Sequence, residues 1–424
     1  SYRGRNMKLC IVGGSTAGWW AAGYFEKHLP DWEITIYDAP DIPSMGVGES
    51  TLPQLKWWWE ELGIEEKDWV KNSDAVLKYG NYKEGWNAPE FDKPFVTRFW
   101  FNDNNKFDQM MADPTNFDVA GKIIEENFYR EFDNPDSRSD YAYHVCAEAS
   151  ADIVKNHCKK TVLIEEELSE LPKGFDLYID ATGFGRKFIR DFTKMNISDF
   201  HFVDSAWVCP MENSPNDSDV TKSIARKYGW TFEVSLQNRV GMGYIFASRY
   251  VNKEEALKEF REIYEALDRT PLSSQKEERF IQWDPMILQN PWSDNVVAIG
   301  TSSGFVDPLE ATALFMTQSG VTQLVNTIKR GYSKKSYNRI MRRIWNDGLR
   351  FQLAHYVLSS RNDTRFWLDS QKGANSISGS NFIWDNYQKY TGSYQWVFPD
   401  GIWCQLGIYL NQMKNYAPKK QLNH

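Results

Sequence analysis

Lys8-Leu9-Cys10-Ile11-Val12-Gly13-Gly14-Ser15-Thr16-Ala17-Gly18-Trp19-Trp20-Ala21-Ala22 decides the fold. The first five residues form a short apolar run with β-branched members, which reads as a buried strand. Glycines follow at once, and the stretch from Trp19 through Phe25 is compatible with a helix. A second apolar strand, Trp32 to Tyr37, ends at Asp38. Strand, glycine turn, helix and strand in that order make one βαβ unit. The turn suits a dinucleotide. A helix N-terminus offers unpaired N–H groups and the positive end of a dipole to a pyrophosphate, and glycines let the backbone approach it. Gly13 and Gly18 take the outer positions of G-x-G-x-x-G, with Ser15 in the middle and Thr16 and Ala17 completing the turn. Asp38 stands at a strand end, where a carboxylate can accept ribose hydroxyls. A glycine turn required only for packing is the alternative.

Outward from this unit, two more apolar strands end in small residues: Asp180-Ala181-Thr182-Gly183 and Ala298-Ile299-Gly300. Ligands of α/β folds bind at such strand ends. Residues 52–86 are rich in Trp and helix formers, and 87–135 read as irregular surface or lid structure. Ala142 to Lys159 reads as a helix, 200–250 as alternating strands, and Lys253 to Leu267 as a charged amphipathic helix. Helices are expected over 311–330 and 335–358.

Composition narrows the function classes. The net charge of −8 gives no basic footprint for nucleic acid. No apolar run reaches the roughly 18 residues of a membrane span. The five cysteines form no C-x-x-C pair and the six histidines no metal-ligand spacing, so no metal is expected and reduced cytoplasmic thiols are. At 424 residues, two packed sub-regions are expected. Ser1 to Asn6, ahead of Met7, read as an appended scar and are set aside.

Several motifs resemble those of flavin-dependent halogenases of the tryptophan type. Gly13 to Ala22 is similar to the family's G-G-x-x-A-G-W-x-A-A opening, and Gly46-Val47-Gly48-Glu49-Ser50-Thr51-Leu52-Pro53 to its G-V-G-E-[AS]-T-x-P. Lys78-Tyr79-Gly80, with Trp86 following, resembles the segment carrying the family's active lysine. Tyr141-Ala142-Tyr143-His144, Asp176 to Phe184, Gly304 to Thr312, and His355-Tyr356 with Asp363-Thr364-Arg365-Phe366-Trp367 match further family motifs in order. One segment departs: W-x-W-x-I-P appears as Trp230-Thr231-Phe232-Glu233-Val234-Ser235. Ala311 and Ala313 stand where many tryptophan-acting members carry Ser and Gly.

The resemblance implies an α/β fold: a Rossmann-like FAD-binding region over 7–190 and 275–330, interleaved with a substrate region over 191–274 and 331–424 that is helical at its C-terminal end. It implies a halogenase that uses reduced FAD, O₂ and a halide to make hypohalous acid, with the flavin reduced by a partner reductase. The FAD would lie against Gly13, Ser15, Thr16, Ala17, Gly18, Asp38, Gly48, Glu49, Gly183, Gly300 and Asp307. Lys78 would carry the oxidised halogen, and Glu310 would polarise it and take the ring proton. The amides of Thr312 and Ala313 would hold the halide, which is costly to desolvate without donors. Trp86, Trp230 and Phe232 would stack on an electron-rich aromatic substrate, although core packing serves those three side chains equally well. His144 and His355 are expected to make structural hydrogen bonds. The altered W-x-W-x-I-P segment leaves an aromatic hydroxylase as an alternative, and a non-catalytic flavin-binding redox protein is a third.

Overall fold

A computed structural model describes residues 2, 6–40, 48–99, 141–215, 217–274, 277–373, 398 and 400–410. Gly46 and Val47, most of the stretch expected to be irregular, and the polar tail fall outside these residues.

The first apolar run becomes strand β1 (Lys8–Val12), central in a six-stranded sheet. Its neighbours are β2 (Glu33–Asp38) and β9 (Leu177–Asp180), both parallel to it. Beyond them lie β8 (Val162–Glu165) on one side and β18 (Val296–Ala298) on the other, also parallel, with the short antiparallel β17 (Trp292–Ser293) at the edge. Leu9, Cys10, Ile11 and Val12 are all buried, as expected for a parallel strand covered on both faces. Helix α1 (Thr16–His28) covers one face. It packs against α4 (Ala147–His157) and α6 (Thr312–Arg330), so segments far apart in the chain close over the first βαβ unit.

A seven-stranded sheet forms the second layer, in the order β15 (Arg279–Gln282), β11 (Ser205–Met211), β14 (Val240–Phe246), β13 (Gly229–Ser235), β12 (Thr221–Arg226), β5 (Gly80–Glu84) and β6 (Phe95–Arg98). Every pair in it is antiparallel except β12 with β5. The sheet therefore recruits residues 80–98 and 279–282, which the sequence reading assigned to the FAD-binding region. Helix α5 (Lys253–Ala266), with Asn252 as its N-cap, covers β11 and β14.

Two small sheets join the layers. One is β3 (Glu49–Ser50), β7 (Ala142–Val145) and β4 (Val76–Lys78). The expected helix from Ala142 is here a strand for its first four residues, and α4 begins only at Ala147. The cause is tertiary: β7 is paired on both sides, with β3 and β4, and all four of its residues are buried. The Trp-rich stretch folds as α2 (Gln54–Glu61) and α3 (Glu66–Asn72), with Trp59 edge to face against Trp69 of α3 and Trp20 of α1. The other small sheet is β10 (Lys194–Asn196), β16 (Met286–Leu288) and β19 (Gly304–Phe305). Helix α7 (Lys334–Val357) then runs against α6 and is followed by α8 (Arg365–Gly373). No described helix is long and apolar enough to cross a membrane.

Candidate active site

Because β1, β2, β9 and β18 are parallel, their C-terminal ends lie on one edge of the sheet. Gly13, Gly183 and Gly300 all follow those ends, and all three have positive φ: 110°, 72° and 71°. A Cβ on Gly13 would sit 2.3 Å from the Ala181 carbonyl oxygen, and one on Gly300 would sit 2.8 Å from the Ala17 Cβ. Only glycine allows these turns to close on each other and on the first turn of α1. Gly18 is equally constrained, since a Cβ there would strike the Gly13 carbonyl. Ser15 caps α1 by backbone position alone, with its hydroxyl uncommitted to the helix. Asp38 reaches across from β2 and accepts the Gly14 N–H at 3.0 Å. The result is a cradle of backbone lined by a helix N-terminus, and it fits the pyrophosphate and ribose of FAD. Gly48 lies against Val234, Leu236 and Gly241 at the end of the β13–β14 pair. Its neighbour Glu49 has its carboxyl pushed up to about 7 by burial.

Lys78 ends β4 and is wholly buried. Among the described residues its amine donates to the Ser50 hydroxyl at 2.6 Å and to the Thr51 carbonyl at 3.0 Å. Ser50 Oγ lies 2.8 Å from Thr221 Oγ1, which lies 2.8 Å from His144 Nε2, and His144 Nδ1 lies 3.0 Å from the Ser235 carbonyl. Since Nδ1 faces a carbonyl it donates, so Nε2 accepts from Thr221. His144 is thus a buried structural acceptor, as expected. Burial, with the nearby Lys78 charge, pushes it down to about 3. Burial is also the main cause that pushes the Lys78 amine down to about 7; Glu310 opposes that shift and Lys83 adds to it.

Glu310 sits in a tight 3-10 turn, Leu309–Ala311, that lies against β3. Glu310 and Ala311 both have positive φ, 64° and 59°, so the turn is strained and needs support. Helix α7 supplies it with residues three and four apart, which share one face. Gln352 donates to the carbonyls of Asp307 at 2.9 Å and Leu309 at 3.0 Å, and to Thr312 Oγ1 at 2.8 Å. His355 Nε2 lies 3.0 Å from Glu310 Oε1, and Tyr356 donates to Asp307 Oδ2 at 2.9 Å. From the other side, Asn81 donates to Glu310 Oε2 at 2.9 Å and Lys83 forms a buried ion pair with Oε1. Burial by itself would raise the Glu310 carboxyl. Lys83 and His355 outweigh it and hold the group well below the usual carboxylate range.

The structure brings Lys78 and Glu310 into one buried cluster through β3, but they form no ion pair. The partner of Glu310 is Lys83, which sequence reasoning missed. Its signal was present: Asn81 and Lys83 are two apart on β5 and so share a face. Gln352 was missed too, although its spacing to His355 and Tyr356 marks one stripe of α7. Asp307 needs correction as a cofactor residue. It is fully buried, and its carboxylate is taken up by His201 at 2.8 Å, Tyr356, Gln352 and the Leu309 amide at 2.8 Å. It braces the Glu310 turn instead of presenting an oxygen to a nucleotide.

Ala311 in the left-handed region followed by Thr312 in the right-handed region is a backbone sequence that can turn successive N–H groups to one side at the start of α6. The Thr312 and Ala313 amides lie there. Trp86 and Trp230 are buried in an aromatic cluster, with indole N–H groups donated to the Ser223 carbonyl and the Tyr356 hydroxyl. Trp86 lies edge-on to His355, with ring centroids 5.5 Å apart. Phe232 packs over Gly243, where a Cβ would meet its ring at 2.4 Å. In the described structure these three rings are packing groups.

A glycine-lined parallel sheet joined to a buried amine–carboxylate cluster fits a dinucleotide-binding α/β protein with polar side-chain chemistry close to that sheet. A family model described as tryptophan halogenase matches residues 8–167 and 163–408. Tryptophan 7-halogenase RebH of Lentzea aerocolonigenes is 29% identical over 429 residues, covering 86% of this chain and 78% of its own. Tryptophan 6-halogenase SttH of Streptomyces toxytricini is 26% identical over 440 residues, 87% of this chain and 81% of its own. BrvH, a flavin-dependent halogenase from Brevundimonas sp. BAL3, shares the fold with a TM-score of 0.81 at 23% identity, over 96% of this chain and 90% of that one. Tar14, a flavin-dependent halogenase from taromycin biosynthesis, does so with a TM-score of 0.82 at 22% identity, over 95% and 90%. The chain belongs to the tryptophan halogenase family. It is accordingly a flavin-dependent halogenase that acts on an aromatic small molecule with reduced FAD and a halide.

Proposed function

We propose that Lys78 holds the oxidised halogen and presents it to the aromatic ring, with Glu310 stabilising the cation that forms. The observation that carries this reading is the state of Lys78. It is a buried amine whose described partners are a hydroxyl and a carbonyl, and no carboxylate neutralises it. Two N–H donors satisfy those acceptors, and the remaining direction on the nitrogen, with the Phe99 ring centroid 5.2 Å away, would serve hypohalous acid.

The cradle around Gly13, Gly183 and Gly300 would hold reduced FAD, which with O₂ would supply the oxidising equivalents that turn halide into hypohalous acid. The amides of Thr312 and Ala313 replace the halide's water shell. In the substitution, a ring carbon bonds to the halogen, the halogen–oxygen bond breaks, and the oxygen leaves as water after taking up a proton. The ring proton passes to Glu310. So well compensated a carboxylate is a weak base, but a protonated aromatic ring is a very strong acid and needs no stronger one. The main contribution of Glu310 is its negative charge, fixed beside the developing cation.

We further propose an indole as the ring, supported by the tryptophan-acting relatives RebH and SttH, and a separate flavin reductase as the source of reduced FAD. The test supplies chemically reduced FAD, O₂ and chloride, bromide or iodide in turn to tryptophan, simple indoles, phenols and pyrroles, with products read by mass spectrometry. A halide-dependent halogenated indole is the expected product. Hydroxylated product formed without halide would sink the reading.

A further inference from the structure

We propose that Lys83 is a positioning residue for the reaction: by serving as the counter-ion of Glu310, it leaves Lys78 without an ion-pair partner. The inference rests on the reading of Lys78 as the halogen carrier.

The cluster contains two wholly buried amines and one buried carboxylate. An isolated buried charge is costly, so the carboxylate must be compensated, and whichever amine contacts it becomes fixed as an ammonium. The backbone decides which. Lys83 shares a face of β5 with Asn81, and both side chains reach Glu310. Thr97 Oγ1, on the adjacent strand β6, lies 3.3 Å from the Lys83 amine and steadies it. Lys78, on β4, is turned instead to Ser50 and Thr51. The remaining titratable groups around Lys78 do not supply a counter-ion. His144 is held neutral behind Ser50 and Thr221, His355 is already engaged with Glu310, and Glu49, next to Ser50 on β3, forms no ion pair with Lys78 among the described residues and has its own carboxyl pushed up to about 7 by burial. A contact ion pair outranks a more distant attraction, since Coulomb energy falls with separation. Lys83 thus takes the contact with Glu310, and its own positive charge works against protonation of Lys78; burial is the main cause that lowers the Lys78 amine, and Glu310 still pulls it the other way. The carboxylate remains available to the ring cation, and the amine of Lys78 keeps a free valence. One carboxylate can serve two roles only because a second lysine is present.

The coupling can be read without substrate or cofactor, by titrating the ε-carbon signals of the protein grown on ¹³C-labelled lysine. The Lys78 signal is identified by its absence in Lys78→Met and the Lys83 signal by its absence in Lys83→Arg. In Lys83→Met, Glu310 loses its lysine counter-ion and keeps only the His355 and Asn81 contacts, so its charge acts more fully on Lys78 and the proton affinity of Lys78 rises by about tenfold or more. Lys83→Arg keeps the charge and should leave that affinity within about threefold of wild type. The halogenation pH profile of Lys83→Met should shift its limb near neutral pH upward in step. An unchanged Lys78 midpoint in Lys83→Met, or the same rise in Lys83→Arg, overturns the proposal. Should Lys83→Met fail to fold, the wild-type titration still decides: a Lys83 signal that moves before the Lys78 signal means that the roles are exchanged. The titration reads the coupling whether or not Lys78 carries halogen, whereas halogenation by Lys78→Ala reads the carrier role alone.

Discussion

The edge of the parallel sheet and the cluster around Glu310 are built by opposite means. At the sheet edge the strand ends and turns leave mostly backbone, and the side chains are conspicuous for being small: Gly13, Ala17, Gly18, Gly183 and Gly300. Around Glu310 the working atoms belong to side chains from β3, β4, β5, the turn before α6, and α7. One region works by keeping Cβ atoms out; the other works by compensating buried charge. The first tolerates chemical change poorly because there is no space, and the second because each charge depends on another.

The largest effect should come from the charge cluster. Lys78→Ala should lower halogenation by on the order of 10³-fold or more while flavin oxidation continues, since the loss is of the group that holds the electrophile. Product yield equal to wild type, measured by mass spectrometry, would reject the carrier role. Glu310→Gln keeps the shape but removes the charge, and should slow turnover by on the order of 10²-fold. A loss smaller than about threefold would show that the carboxylate only braces the turn.

The sheet edge should respond in binding instead. Gly13→Val places a β-branched side chain at a φ of 110° and against the Ala181 carbonyl. FAD affinity, followed by flavin fluorescence, should fall by on the order of tenfold to a hundredfold, the equivalent of about 1–3 kcal/mol of strain. Wild-type affinity would mean that the pyrophosphate lies elsewhere.

Smaller changes in stability sharpen the contrast. Gln352→Leu strips the strained turn of donors to two carbonyls and a hydroxyl. A cost of about 1–3 kcal/mol is expected, seen as a lower unfolding midpoint in denaturant. Lys78→Met should show a pH-dependent gain. The folded Lys78 amine lies near 7, below the ordinary 10.5, so between those values the unfolded chain binds the extra proton. Wild-type stability attributable to Lys78 therefore rises with pH across that window. The stability advantage of Lys78→Met should be largest near pH 7 and shrink toward pH 10; a gap that does not vary with pH would mean that Lys78 is not held proton-poor.

Much of the sheet edge was legible in the sequence. An apolar run followed by glycines has few foldings, because strand burial and positive φ are local demands that residue types announce. The helix expected from Ala142 shows the limit. Ala142-Tyr143-His144-Val145 has no local mark that separates strand from helix, and pairing with β3 and β4 decided it. Asp307 misled for a similar reason, since a carboxylate in a motif does not declare which way it faces.

The sequence by itself determined the βαβ start, the glycine turns and the strands that end in them, while its resemblance to the halogenase family singled out Lys78 and Glu310. Only the tertiary structure decided that Glu310 takes Lys83 as its partner, that Gln352 braces the turn, and that Lys78 is left with neutral acceptors. The physical reason is that backbone preferences act over a few residues, whereas the compensation of a buried charge is settled among all the groups that folding brings within contact, however far apart they lie along the chain.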